Sequence, residues 1–187
     1  SVSLLSRFQD VFLVEKTQED LEAVSADLCT VLKLALTDFD AMREREGERL
    51  CRDVLDRAAT IEGLTKQVAD RAPGIVADYR ARLWSKMSEV LQNTQLDESR
   101  ILTEAAIYAD KVAVDEELVR LHSHLSQLRH MLSEGGAVGR KLDFLIQEFN
   151  REANTIGSKC NDIETAGYVV DIKAEIEKIR EQIQNLE

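Results

Sequence analysis

The chain has 187 residues, of which 44% are hydrophobic, 32% are charged and only 5% are aromatic. One proline and eight glycines leave few turn-forming residues, which excludes most sandwiches and barrels, because those folds need frequent turns and strand-forming aromatics. The composition is too apolar for a disordered chain, and no apolar run approaches the roughly 20 residues that cross a bilayer. We therefore expect a soluble, all-α protein with no membrane association.

The net charge and the cysteines further restrict the kind of protein that this chain can be. The formal net charge is −11 at pH 7, which argues against a broad nucleic-acid-binding face but not against a local site. Cys29, Cys51 and Cys160 are scattered and odd in number, so they predict neither a disulfide framework nor a CxxC metal site. Unpaired cysteines favour a reducing, cytoplasmic compartment. Residues 1–16 lack the basic start and apolar middle of a targeting signal.

Apolar spacing predicts long helices joined by few connections. Thr17 and Asp20 resemble a capping box, and the periodicity that follows predicts one helix over 18–71, or two that meet at a kink at Gly47. Pro73 is expected to end this helix, because the residue before a proline is pushed out of the α region. Further helices are predicted over about 74–92, 98–133, 137–158 and a terminal segment.

The terminal segment carries a regular apolar seam, which is typical of helices packed at a shallow angle. Its spacing is 3, 4, 3, 4, 3 along Val169, Ile172, Ile176, Ile179, Ile183 and Leu186. A helix of about 50 residues is on the order of 75 Å long, so the first helix needs cover from missing chain or from other subunits. We expect long antiparallel helices with a C-terminal bundle or coiled-coil-like hairpin, in an oligomer.

The segment GRKLDFLIQEFNREANTIGSK, residues 139–159, has one apolar face and a polar stripe that is unusual for a helix. The stripe consists of Arg140, Asp143, Gln147, Arg151, Asn154 and Ser158. Asn154 and Ser158 do not favour helix, so this face carries its polar groups at a propensity cost. Such a cost often marks function or a specific interface.

Two glutamates lie beside this stripe. Glu148 and Glu152 are four residues apart, where like charges repel unless a cation lies between them. Arg151 and Lys159 could supply that cation, which is the purely structural interpretation. The alternative is a divalent metal held by the two carboxylates.

A second candidate set lies upstream, in DEELVRLHSHL. Glu117, Arg120 and His124 share one helical face, whereas His122 points elsewhere, so the histidines are not a ready-made metal pair. A helical histidine is more often a surface residue than a catalyst, but an acid or base active at neutral pH suits phosphodiester hydrolysis. No P-loop, GxGxxG, HExxH or GxSxG motif competes with this interpretation.

These motifs carry a family resemblance. GRKLDFLIQEFNREANTIGSKCNDIE and the closing IKAEIEKIREQIQNLE strongly resemble the C-terminal domain of the YicC/YloC family of bacterial endoribonucleases. VDEELVRLHSHL, AMREREGERL and LLSRFQDVF resemble further stretches of that family, so the resemblance covers essentially the whole chain. It implies the C-terminal two thirds of a longer protein. Residues 1–71 would end its N-terminal domain with a long helix, 72–97 would connect, and 98–187 would form the C-terminal helical domain.

The resemblance implies an endoribonuclease that cuts RNA with a divalent metal, Mn²⁺ or Mg²⁺, inside a homo-oligomeric clamp, expected to be a hexamer. It implies metal ligands at Asp143, Glu148 and Glu152. It implies catalytic roles for Glu117, His124, Glu148 and Glu152. It implies RNA contacts by Arg120, Arg140, Lys141, Gln147, Arg151, Asn154 and Lys159. The polar residues Gln147, Asn150, Asn154 and Thr155 would orient ligands or bind ribose and base edges.

Two other interpretations stay open on the sequence. The polar stripe could grip RNA as a non-catalytic clamp, or residues 139–159 could be a subunit interface of a structural helical assembly protein. Metal-dependent cleavage separates the nuclease from the clamp. Charge reversal at Arg140 and Arg151 separates both from the assembly protein, because it should abolish RNA binding in either nucleic-acid interpretation but only disturb assembly if the stripe is an interface.

Overall fold

A computed structural model describes residues 2–8, 20–91, 98–136 and 138–184. Within these ranges the chain forms six helices and no strand, which confirms the all-α prediction. The helices are α1 (Val2–Leu5), α2 (Leu21–Leu91), α3 (Glu98–Val112), α4 (Asp115–Glu134), α5 (Gly139–Lys159) and α6 (Ile163–Ile183). None of these described helices combines the length and the apolar character that a bilayer span requires.

The chain divides into two compact units, residues 1–45 and 46–187. In the first unit, Asp20 begins α2, because its carboxylate accepts hydrogen bonds from the backbone N–H groups of Glu22 and Ala23. Thr17, the other half of the predicted capping box, lies outside the described residues. Apolar side chains of α2 in this unit are at least half exposed, among them Leu21, Val24, Leu28, Val31, Leu32, Phe39 and Met42.

The core of the second unit lies among α2, α4, α5 and α6. The central members of this cluster are at most 3% exposed: Val54, Ala58, Ile61, Leu121, Leu125, Leu128, Leu142, Leu145, Phe149, Ile156, Ile172, Ile176 and Ile179. The predicted seam of the last helix is confirmed from Val169 to Ile183, and Leu186 lies outside the described residues. Apolar periodicity thus identified the core-facing side of each of these helices.

The C-terminal helices run antiparallel, as predicted. Gly135 and Gly136 turn the chain between α4 and α5 with φ angles of 68° and 84°, in the left-handed region that favours glycine. Near the start of α4, Glu117 bonds to Lys159 at the end of α5. Farther along, Arg120 bonds to Glu152, so the two helices pack side by side in opposite directions.

Helix α2 continues through Pro73, so the predicted break at that residue is wrong. A proline inside a helix removes one backbone hydrogen bond, at a cost of about 3 kcal/mol. Val68 and Ile75 are buried on either side of it. The Arg71 guanidinium reaches Asp162, the residue that caps α6, at 3.0 Å. Tertiary packing therefore outweighs the local preference of the proline.

We expect Pro73→Ala to raise the free energy of unfolding by about 1–3 kcal/mol, because alanine restores the lost backbone hydrogen bond and favours helix. Urea denaturation followed by circular dichroism measures the change. Gly63→Ala is the matched control: nothing lies within 4 Å of its added Cβ, so it reports helix propensity, roughly 0.5–1 kcal/mol. A destabilised Pro73→Ala variant would show that the proline itself supports this turn.

The helix predicted over 98–133 is two helices, α3 and α4, so that prediction is wrong at Ala113 and Val114. The Ala113 carbonyl, no longer part of a helical ladder, accepts a hydrogen bond from Lys159 Nζ at 2.9 Å. Val114 is buried, which fixes the connection against the core. A signal for the second start was present in the acidic first turn of α4, which favours a helix N-terminus: Asp115, Glu116 and Glu117.

Candidate metal centre and nucleic-acid interface

The predicted catalytic side chains lie on the facing sides of α4 and α5. Glu117, Arg120 and His124 follow one another at spacings of three and four residues, which places them on one side of α4. Glu148 and Glu152 lie four residues apart on α5. Packing of the two helices brings the histidine and both of these glutamates together.

His124, Glu148 and Glu152 form what we call the His124 cluster. A ring nitrogen of the histidine and one carboxylate oxygen from each glutamate all lie within 4.8 Å of one another. Both ring nitrogens are buried, and neither has a hydrogen-bond partner in the part of the chain that the structure describes. A buried polar atom without a partner costs about 1–3 kcal/mol, so such atoms usually bond to water, an ion or a ligand.

Each carboxylate of the His124 cluster has one oxygen near a cation. Glu152 is buried, and its Oε1 accepts a hydrogen bond from Arg120 Nε at 2.9 Å. Glu148 is partly exposed, with its Oε2 at 3.7 Å from the guanidinium of Arg151. Among the described residues, the second oxygen of each group has no such contact, which leaves both groups able to bind a ligand beside the imidazole.

A line of alternating charges crosses between α4 and α5 beside the cluster. We call it the ion network: Lys159, Glu117, Arg120 and Glu152. Lys159 Nζ lies 3.0 and 3.1 Å from the two oxygens of Glu117. Arg120 donates through Nη2 to Glu117 at 3.0 Å and through Nε to Glu152, so it joins the two buried carboxylates.

The ion network keeps Glu117 ionised. Burial disfavours its charge, but hydrogen bonds from Lys159 and from its own backbone N–H, with the nearby charge of Arg120, hold the pKa of Glu117 below its ordinary value of 4.5. The pKa of Arg120 is raised in turn, chiefly by the hydrogen bond to Glu152. Glu117 thus stays anionic at neutral pH and fixes the guanidinium that holds Glu152.

Asp143 does not lie in the His124 cluster. It lines a groove of about 620 Å³ between α5 and α6, which we call the α5–α6 groove. Four of the six residues of the predicted polar stripe line this groove, whereas Arg140 and Ser158 do not. The groove is lined by Asp143, Ile146, Gln147, Asn150, Arg151, Asn154, Thr155, Arg180 and Gln184. Sequence reasoning missed the last two, because the apolar seam of α6 gave no sign of what its opposite side would line.

The basic residues predicted to bind RNA fall into two groups. Arg140 and Lys141 are exposed in the first turn of α5 and form no ion pair within the described residues, and Arg151 is largely exposed. Arg120 and Lys159 instead carry their charges into the ion network. Only the first group is therefore free to meet a phosphate.

Comparison with known proteins identifies the family. The sequence profile described as "Endoribonuclease YicC-like, C-terminal" matches residues 68–187, and its "N-terminal region" counterpart matches residues 1–52. The chain belongs to the YicC-like endoribonuclease family. The resemblance predicted from the sequence motifs is thereby confirmed. Every residue of the His124 cluster, the ion network and the α5–α6 groove lies within the range of the C-terminal YicC-like profile.

Two curated YicC relatives are similar over most of this chain. The protein named "Probable endoribonuclease YicC" in Clostridioides difficile is 41% identical over 188 residues, which cover 100% of this chain and 64% of the relative. The protein of the same name in Haemophilus influenzae is 42% identical over 175 residues, which cover 94% of this chain and 60% of the relative. The chain thus spans less than two thirds of the length of either YicC relative.

Proposed function

We propose that this chain carries the cleavage site of a divalent-metal-dependent endoribonuclease. One observation carries the proposal: the two ring nitrogens of His124 are buried beside the carboxylates of Glu148 and Glu152, and neither has a hydrogen-bond partner among the described residues. The family and the names of both relatives supply the reaction class, hydrolysis of RNA phosphodiester bonds. Polar groups that converge in this way, with buried atoms that lack a partner, are typical of functional sites.

The donor set of the His124 cluster fits a divalent metal. One imidazole nitrogen and two carboxylates suit Mn²⁺ better than Mg²⁺, because Mg²⁺ favours oxygen ligands and keeps several waters. When bound, such an ion supplies Lewis acidity toward the phosphate and lowers the pKa of its water. His124, Glu148 and Glu152 would hold it, and Asp143, in the α5–α6 groove, would not.

The ion network orients the cluster. Arg120 donates a hydrogen bond to one oxygen of Glu152. This bond fixes the orientation of the carboxylate, and therefore the direction of its other oxygen. Glu117 holds Arg120 in place, while Lys159 anchors Glu117 to the end of α5. We therefore propose that Glu117 is a positioning residue that acts through Arg120 and does not touch the substrate.

Exposed cations would bind the RNA backbone. Arg140, Lys141 and Arg151 lie on α5 without strong ion pairs, so they can contact phosphates, whose charge dominates the affinity for nucleic acid. Arg120 and Lys159 are already bonded to buried carboxylates. Their contribution to RNA binding would be indirect, through the position of Glu152.

We further propose that the active particle is a homo-oligomeric clamp in the cytoplasm. The exposed apolar side chains of α2 in the first unit would be covered by further subunits, because apolar surface of this extent favours association. The three cysteines form no disulfide, as expected of a reducing compartment. A hexamer stays the expected stoichiometry, and sedimentation of the full-length protein measures it.

The test is cleavage of a labelled structured RNA by the full-length protein, with Mn²⁺ and with EDTA, beside the Glu148→Gln/Glu152→Gln variant. We expect metal-dependent cutting that falls by at least about 100-fold in the variant, because the ligand charges are lost. RNA binding in EDTA should stay within about threefold, because the phosphate-binding cations are untouched. Mn²⁺ should support cutting at lower concentration than Mg²⁺.

The matched control is Glu44→Gln/Glu48→Gln, which removes two exposed glutamates four residues apart on α2 and should cut at the wild-type rate. A cluster variant that cuts normally would leave the nuclease in place and remove this site. If the wild-type protein binds RNA but does not cut it in the presence of any metal, the non-catalytic clamp would be favoured. Absence of both binding and cutting would favour the structural assembly protein.

A further inference from the structure

We propose that the α5–α6 groove binds one unpaired nucleobase of the RNA, with its ribose and phosphate, and thereby selects the nucleotide near the cleaved bond. This inference rests on the proposed function, since it takes RNA as the ligand. The groove holds about 620 Å³, within the roughly 300–1,000 Å³ typical of small-molecule sites. It lies on a different side of α5 from the His124 cluster and shares none of the cluster's residues.

Side-chain amides dominate the chemistry of the groove. They are Gln147, Asn150, Asn154 and Gln184. Each amide offers donors and an acceptor side by side, the arrangement that pairs with the edge of a base. Asn150 donates to the backbone carbonyl of Ile146, which leaves its own carbonyl oxygen available. The other three amides have no side-chain partner within the described residues.

The placement of these amides differs from that of an ordinary solvated face. Exposed helix positions usually hold Glu, Lys, Arg or Ala, whereas asparagine costs helix stability. Gln147, Asn150 and Asn154 are spaced three and four residues apart on α5, and Gln184 meets them from the end of α6. Two separate elements thus bring the same functional group to one concavity. Solvation alone requires no such convergence.

The charge of the groove suits a nucleotide. Two guanidiniums, Arg151 and Arg180, and one carboxylate, Asp143, line the groove, so cationic groups outnumber anionic ones among its lining residues. Their ion pairs are exposed, Arg151 with Glu148 at 3.7 Å and Arg180 with Glu177 at 3.2 Å, so both pairs are weak. Guanidinium planes stack on unpaired bases and bind phosphates in a bidentate manner.

The groove is close enough to the His124 cluster for one strand to contact both. Only the width of α5 separates them, and a helix with its side chains is about 10–12 Å across. Arg151 lines the groove and pairs with Glu148, a member of the cluster. A base held in the groove would therefore fix the register of the strand with respect to the cluster.

The test measures base preference without cleavage. The full-length protein is titrated in EDTA with labelled oligoadenylate, oligouridylate and oligocytidylate of equal length, and anisotropy gives each affinity. We expect wild type to prefer one base by about tenfold, the discrimination of one bidentate amide contact. Gln147→Ala/Asn154→Ala should reduce that preference to about twofold or less. Its affinity for the least favoured oligonucleotide should hardly change, because the phosphate contacts remain.

The matched control is Gln67→Ala/Gln127→Ala, which removes two exposed amides outside the groove and should keep the wild-type preference. Gln184→Ala should weaken the preference from the α6 side. Equal wild-type affinity for all three oligonucleotides, no RNA binding, or a preference unchanged in both groove variants would each overturn the inference. Because EDTA excludes cleavage, a protein that binds with base preference but never cuts would disprove the nuclease and keep this groove.

Discussion

His124→Ala is expected to lose Mn²⁺ affinity and RNA cleavage by at least about 100-fold while the protein stays folded. The histidine would contribute the one nitrogen donor of the proposed metal site, beside two carboxylates, and both of its ring nitrogens are buried without a partner in the described chain. The imidazole has no hydrogen-bond partner within the described chain, so its removal leaves no former partner unpaired and costs only packing contacts. Calorimetric titration with Mn²⁺ and the labelled-RNA assay measure the two losses, and thermal unfolding checks the fold.

The control for this prediction lies two residues away. His122 is exposed, with Nδ1 at 3.4 Å from a carboxylate oxygen of Glu62 on α2, so His122→Ala should bind Mn²⁺ and cut RNA as wild type does. A His124→Ala variant with unchanged Mn²⁺ affinity would contradict the ligand role. If that variant also failed to cut, the imidazole would act instead as a general acid or base.

The sequence predicted which side of α4, α5 and α6 faces the core, but not where every helix ends. The a/d seam of α6 needs only local periodicity, and its residues from Val169 to Ile183 are buried as predicted. Pro73 and Ala113 are different, because whether the helix continues or ends at each of them depends on contacts from distant segments. Asp162 reaches back to the turn around the proline through Arg71, and Lys159 bonds to the Ala113 carbonyl. Neither contact can be derived from neighbouring residues.

The candidate site divides in the same way. Spacing of four residues places Glu148 and Glu152 about 40° apart around a helix, so their proximity could be predicted. Asp143 is five residues before Glu148, about 140° away around the helix, and the structure places it in the α5–α6 groove. Which cation meets which carboxylate depends on the register between α4 and α5. Lys159, considered from the sequence as a partner of its own helix, bonds to Glu117 across the interface.

Glu117→Gln is expected to lower the free energy of unfolding by about 2–3 kcal/mol at neutral pH. Removing one partner of a buried ion pair typically costs about 3–5 kcal/mol. The cost is reduced here because the Lys159 and Arg120 side chains are 33% and 45% exposed, so water partly compensates them. Glu116→Gln is the matched control: it also pairs with Arg120 but is 84% exposed, and should change stability by about 0.5 kcal/mol or less. Urea denaturation measures both.

The pH dependence distinguishes the lost charge from a packing defect. The pKa of Glu117 lies below its ordinary value of 4.5 in the folded protein, so its charge stabilises the fold above about pH 4.5. That contribution is lost as the pH falls through the folded pKa, so the stability difference between wild type and Glu117→Gln should be full at pH 7 and shrink below pH 4.5. The lowered pKa values of Glu62, Asp162 and Glu175 are common to both proteins and cancel in this difference. A difference that stays constant with pH would indicate packing instead.

A positioning role for Glu117 also predicts a change in Mn²⁺ affinity, which a purely structural role does not. At a temperature where the variant is fully folded, Glu117→Gln should bind Mn²⁺ about 10–100-fold more weakly, because Arg120 no longer holds Glu152 in one orientation. Glu116→Gln leaves that contact intact and should bind Mn²⁺ as wild type does. If a destabilised Glu117→Gln variant bound Mn²⁺ with unchanged affinity, the ion network would contribute to folding stability and not to metal binding. A weakened Mn²⁺ affinity would show that Glu117 on α4 helps to position Glu152 on α5 for metal binding.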